Sequence, residues 1–106
     1  ISLGSQEVLM PTKAEEVAEE MAKKLGSSKD HILKEGLQTF LEKRLREVKV
    51  DIYQIASKYE VSSVGEMEKL YQEGELEESA SRSDFQRLDR LEYKKEQLSR
   101  LLSEME

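Results

Sequence analysis

A chain of 106 residues with no cysteine, 38% charged side chains and a net charge of −6 excludes several classes at once. It can hold no disulfide framework and no thiolate zinc site, and no apolar run approaches the roughly 20 residues of a membrane span. Its size allows one domain or two small modules, and 37% hydrophobic residues make a thin core.

The surplus of negative charge is one-sided. Residues 1–50 hold nine basic and nine acidic side chains, whereas residues 51–106 hold eight and 14. The second half would repel nucleic acid and suits a basic protein partner. Five glycines and one proline favour long helices over sheet. No signal-peptide pattern is visible, and with the absence of cysteine this gives the expectation of a cytoplasmic protein.

The elements follow in chain order. Val8, Leu9 and Met10 precede Pro11, which pushes Met10 towards extended backbone. They predict a short strand, and a lone strand needs a partner edge. Thr12-Lys-Ala-Glu15 is a capping box, and Ala14, Val17, Ala18, Met21, Ala22 and Leu25 form one apolar helical stripe behind it. With Glu15 and Glu16 at its start, Lys23 and Lys24 at its end and Gly26 beyond, this predicts a helix from about Lys13 to Leu25.

Ser27 or Ser28 caps a second helix, whose three-four spacing runs from Leu33 through Leu37, Phe40, Leu41, Leu45, Val48, Ile52 and Ile55 to Tyr59. Such length reads as a coiled-coil or stalk element. Val48-Lys-Val50-Asp-Ile52 also alternates as a strand would, but the helical spacing continues on both sides. Ser63-Val-Gly-Glu66 opens a short helix over 63–73, and residues 74–80 read as an acidic linker. Ser81-Arg-Ser-Asp84 caps a last helix over 82–105. Its Leu88, Leu91, Leu98, Leu102 and Met105 fall on a heptad seam interrupted only by Lys95.

Site chemistry is sparse. His31 is the only histidine and reads as an exposed helix residue, since no cysteine or second histidine can complete a zinc set. No glycine-rich phosphate loop occurs. The carboxylate pairs Glu15-Glu16 and Glu77-Glu78 sit on predicted solvent faces, with nothing to drive their pKa values apart. Neither an enzyme nor a cofactor or small-molecule substrate is expected.

The corner Gly26-Ser-Ser-Lys29, followed by Ile32, Leu33, Lys34, Glu35, Gly36, Leu37, Phe40 and Leu41, resembles the ribbon-helix-helix family, and the strand-proline-helix order from Val8 to Leu25 is similar to it as well. The resemblance covers residues 5–45. It implies a mainly α fold in which one short N-terminal β-strand pairs across a ribbon-helix-helix dimer, followed by a long helix and C-terminal helices. It implies a homodimer core of Val8, Met10, Leu33, Leu37, Phe40 and Leu41. It also implies DNA contacts: Gln6, Glu7 and Leu9 near bases, and Lys13, Ser27, Ser28 and Lys29 near phosphates. No lysine or arginine precedes Lys13, although base-reading ribbons ordinarily carry basic or amide side chains.

Residues 60–106 resemble, by order and composition, the tails of prokaryotic, often archaeal, antitoxins of that type. The resemblance divides the chain into a dimerising, DNA-binding module over 1–50 and an acidic partner-binding tail over 51–106, gripping a toxin through Leu88, Leu91, Leu98 and Leu102. The expectation is a cytoplasmic transcription regulator of a toxin–antitoxin system that binds operator DNA and a toxin protein. The alternative is a helical coiled-coil-like adaptor that touches no DNA.

Overall fold

The computed structural model describes residues 11–106, which form four α-helices. They are α1 (Lys13–Leu25), α2 (Lys29–Lys58), α3 (Val64–Gln72) and α4 (Glu78–Met105). Among the described residues there is no strand, so the expected fold class is corrected to all-α. The helical spacing of α2 carries through Val48–Ile52, where alternation offered a strand instead.

The ribbon-helix-helix fold is corrected with it. That fold joins two chains through a shared ribbon, with the second helix as a core between copies. Here the later part of α2 packs within its own chain, against α3 and α4. Gln6, Glu7, Val8, Leu9 and Met10, which the resemblance assigns to the ribbon, lie outside the described residues.

The chain divides into two compact units, Ile1–Thr39 and Phe40–Glu106. In the first, the Thr12 capping box forms in full: Glu15 N donates to Thr12 Oγ1 at 3.2 Å, and Thr12 N donates to Glu15 Oε1 at 3.3 Å. Gly26 ends α1 with φ +66, a left-handed conformation that a Cβ would disfavour. The Ser27 amide returns to Ala22 O at 2.9 Å, closing the turn as a Schellman motif. The enclosed hydrophobic residues of α1 are alanines, Ala18 and Ala22.

In the second unit, α2 from Phe40 onward and α4 run antiparallel. Arg87 faces Asp51 at 3.7 Å, and Lys58 faces Asp84 at 2.8 Å. The short α3 also lies against α4. Its Tyr71 ring meets Phe85 edge-on, centroids 5.3 Å apart, and the Val64 amide at its start donates to Glu92 at 2.6 Å. The core is Ile55, Met67 and Leu88, with Ile52, Tyr59 and Leu91 packed around it. Met67 and Leu88 are the largest fully enclosed side chains.

One helix start differs from expectation. α4 begins at Glu78, inside the stretch read as a linker, and its N-cap Glu77 makes no side-chain cap. Ser81 is buried within the first turn rather than capping it. Its hydroxyl donates to Glu77 O at 2.8 Å and lies 2.5 Å from Tyr71 Oη, so contact with α3 recruits these residues into the helix. At the end of α2, Glu60 adopts φ 56 while the Val61 amide returns to Ala56 O at 3.0 Å. Glu60→Gly should therefore stabilise the protein by about 0.5–1 kcal/mol, because glycine takes this conformation without strain.

Gly36 stands inside α2 with nothing within 4 Å of where a Cβ would lie. Interior glycine costs a helix about 0.5–1 kcal/mol relative to alanine. Gly36→Ala is thus expected to raise the midpoint of thermal unfolding. A lowered midpoint would show that another backbone occupies that space.

Candidate interaction surfaces

Each unit carries exposed apolar surface. In the first, Val17, Met21 and Leu25 are 41%, 40% and 69% exposed, and Leu33 and Leu37 are 39% and 53% exposed. Their spacings place Val17, Met21 and Leu25 on one face of α1, and Leu33 and Leu37 on one face of α2. An open groove of 520 Å³ runs between the helices, lined by Met21, Leu25, Ile32 and Gly36 among others. Five large apolar side chains thus face solvent beside an enclosed pair of alanines.

The Gly26–Lys29 corner spends its polar groups internally. Ser28 Oγ accepts from His31 N at 3.0 Å, which takes a helix N-terminal amide that a phosphate would otherwise use. Lys29 Nζ lies 3.5 Å from Glu15 Oε2. The capping-box bonds from Thr12 and the Lys29 charge hold the Glu15 carboxyl below its ordinary value. Ser27 and Lys13 are exposed. His31 is exposed beside Glu35, Nε2 3.3 Å from its carboxylate. So short a turn joins the two helices because Gly26 ends one and Ser28 caps the next.

In the second unit, the tail leucines separate. Leu88 is fully enclosed and offers nothing to a partner. Leu91 packs on the core, and Leu102 is half-buried. Leu98 lines a groove of 350 Å³ with Phe40, Val48, Leu91 and Lys94. Phe40 is 53% exposed under the Arg44 guanidinium, 5.2 Å from its ring centroid, and Leu41 is half-buried. Of the four seam leucines expected to grip a partner, the heptad period could not tell the enclosed Leu88 from the more open ones, because all lie on the same helical stripe.

A second groove of 340 Å³ was not legible from spacing alone. It is lined by Lys49, Ile52, Tyr53, Ala56 and Lys95, together with Ser57, Val61 and Ser62. Tyr53 is 73% exposed. The signal present in the sequence was Lys95, the one polar residue on the α4 seam.

The polar cluster at Asp84 is structural. Its Oδ2 accepts from Lys58 Nζ at 2.8 Å and from Tyr59 Oη at 2.5 Å. The hydrogen bond from Lys58, then that from Tyr59, holds the Asp84 carboxyl below its usual 3.8. Burial, then the bond to Asp84, pushes the Tyr59 hydroxyl up to about 12. The lowered carboxyl makes Asp84 stabilising above its unfolded pKa, and that contribution is lost as pH falls through the lowered value. The raised phenol makes Tyr59 stabilising below pH 10, and its contribution is lost as pH rises towards about 12. Denaturant unfolding followed up to pH 12 should show this alkaline loss in the wild type and a smaller loss in Tyr59→Phe.

Among the described residues, no group of three or more His, Cys, Asp or Glu side chains could hold a metal ion. No described helix is long and apolar enough to cross a membrane.

Over its described residues the chain is all-α, with exposed apolar side chains on both units. The chain belongs to the Uncharacterized protein MJ0235 family, which it matches over residues 10–106. That span takes in all but residues 5–9 of the part that resembled a ribbon-helix-helix module and the whole of the part that resembled an antitoxin tail, so the ribbon-helix-helix assignment is replaced by this membership. No curated protein and no solved structure matches the chain.

Proposed function

We propose that the protein is a helical interaction module that works as a homodimer, an adaptor rather than an enzyme. The observation that carries this is the first unit's pairing of an alanine core, Ala18 and Ala22, with five exposed large apolar side chains on α1 and α2. Roughly half of each is still accessible, so covering one is worth about 1 kcal/mol or more. A second copy is the occupant because it brings the same apolar face in equal amount, and two-fold homodimers are the commonest assemblies.

DNA binding and toxin neutralisation were carried by the family resemblance, and with that resemblance replaced no observation on the described residues favours them. Co-expression of two differently tagged copies tests the proposal. Recovery of both tags on either resin supports it, and recovery of one tag alone overturns it.

A further inference from the structure

Lys95 is exposed on the heptad seam of α4, where every other position is Leu or Met. It lines the 340 Å³ groove with Lys49 of α2, so two cations from facing helices open onto one space. Neither forms an ion pair with a described residue. The carboxylates bonded to the adjoining segment are already engaged: Glu66 with the Ser62 hydroxyl, and Glu92 with the Val64 amide at 2.6 Å. Both side chains are exposed, so their ammonium groups are open to an anionic partner. Between them the groove is apolar, floored by Ile52 and the buried Ala56 and edged by the exposed Tyr53 ring.

We propose that this groove binds an acidic peptide segment of a partner protein, its carboxylates meeting Lys49 and Lys95 and an apolar side chain resting on Ile52 and Tyr53. This rests on the adaptor reading and names the chemistry of the partner. The groove's volume is in the range of about 300–1,000 Å³ typical of ligand sites. Two lysines suffice for a short acidic peptide. A nucleic acid extends its charge beyond the two lysines into a half that carries 14 acidic and eight basic side chains, whereas a short peptide need meet only the lysines. Complementary charge gives the interaction a steep dependence on salt.

The probe is a fluorescein-labelled peptide, Asp-Glu-Leu-Glu-Asp, titrated against the full chain at low salt. Saturable binding is expected, with amide shifts in an NMR spectrum centred on Lys49, Tyr53 and Lys95. Lys49→Glu/Lys95→Glu should weaken binding about tenfold or more, by replacing two attractions with two repulsions. Lys43→Glu/Lys69→Glu, which changes net charge equally outside the groove, should leave it unchanged. Equal weakening by both pairs, shifts centred elsewhere in the wild type, tighter binding of a single-stranded oligonucleotide, or no saturation overturns the proposal. The copies recovered in the two-tag experiment report on the adaptor reading separately, since neither lysine pair lies on the α1 face.

Discussion

Leu88→Ala should cost about 3–5 kcal/mol of folding stability, from lost transfer energy plus the cavity left behind. Leu88 is fully enclosed, packed with Ile55 and Met67 where α2, α3 and α4 meet. Three helices frame the site, so it cannot collapse easily around a missing isobutyl group. Proteins of this size carry only about 5–15 kcal/mol in total, so the variant should sit near the edge of unfolding. Leu101→Ala, on the same helix but 46% exposed, should change stability by less than about 0.5 kcal/mol. Urea midpoints of the two variants measure the contrast directly. Similar midpoints would place Leu88 at a surface.

Leu33→Asp/Leu37→Asp should leave the fold intact and break the dimer. Both leucines are exposed on the single chain, 39% and 53%, and α2 carries its own backbone hydrogen bonds on either side. Four leucines are lost across the two copies, at about 1 kcal/mol each, and four carboxylates would enter the interface. Association should weaken by about 4 kcal/mol or more, close to a thousandfold. Circular dichroism should show undiminished helix. Loss of helix together with loss of the dimer would mean these leucines support the chain itself.

The helices were legible where local chemistry agreed with periodicity. Thr12 with Glu15, the stripe to Leu25 and Gly26 beyond it carry all the marks of a start, a face and an end, and α1 spans Lys13–Leu25. The end of α2 had no such mark. Glu60 closes it in a left-handed conformation with no glycine to announce it, because the contacts of Tyr59 with Asp84 hold the turn. α4 starts at Glu78 for a tertiary reason, the Ser81–Tyr71 contact, which no local pattern encodes. Its capping-like Ser81-Arg-Ser-Asp84 instead supplies Asp84 to Lys58 and Tyr59.

The sites divided along the same line. A stripe says which residues share a face but not which neighbour covers it, so Leu88 and Leu98 looked alike in sequence and differ in the fold. Lys95 was visible as an interruption, but the groove it lines with Lys49 and Tyr53 of α2 could be seen only in the fold. The ribbon-helix-helix resemblance rested on the order of short pieces around a capped turn, and a helical hairpin with Gly26 and Ser28 at its corner produces the same order by itself.

Sedimentation equilibrium of the full chain at micromolar concentration, beside Leu33→Asp/Leu37→Asp, tests the central claim most directly. The account predicts a species of twice 12.3 kDa for the wild type and the single-chain mass for the variant. A wild type that sediments at 12.3 kDa, or a variant that stays paired, would contradict it.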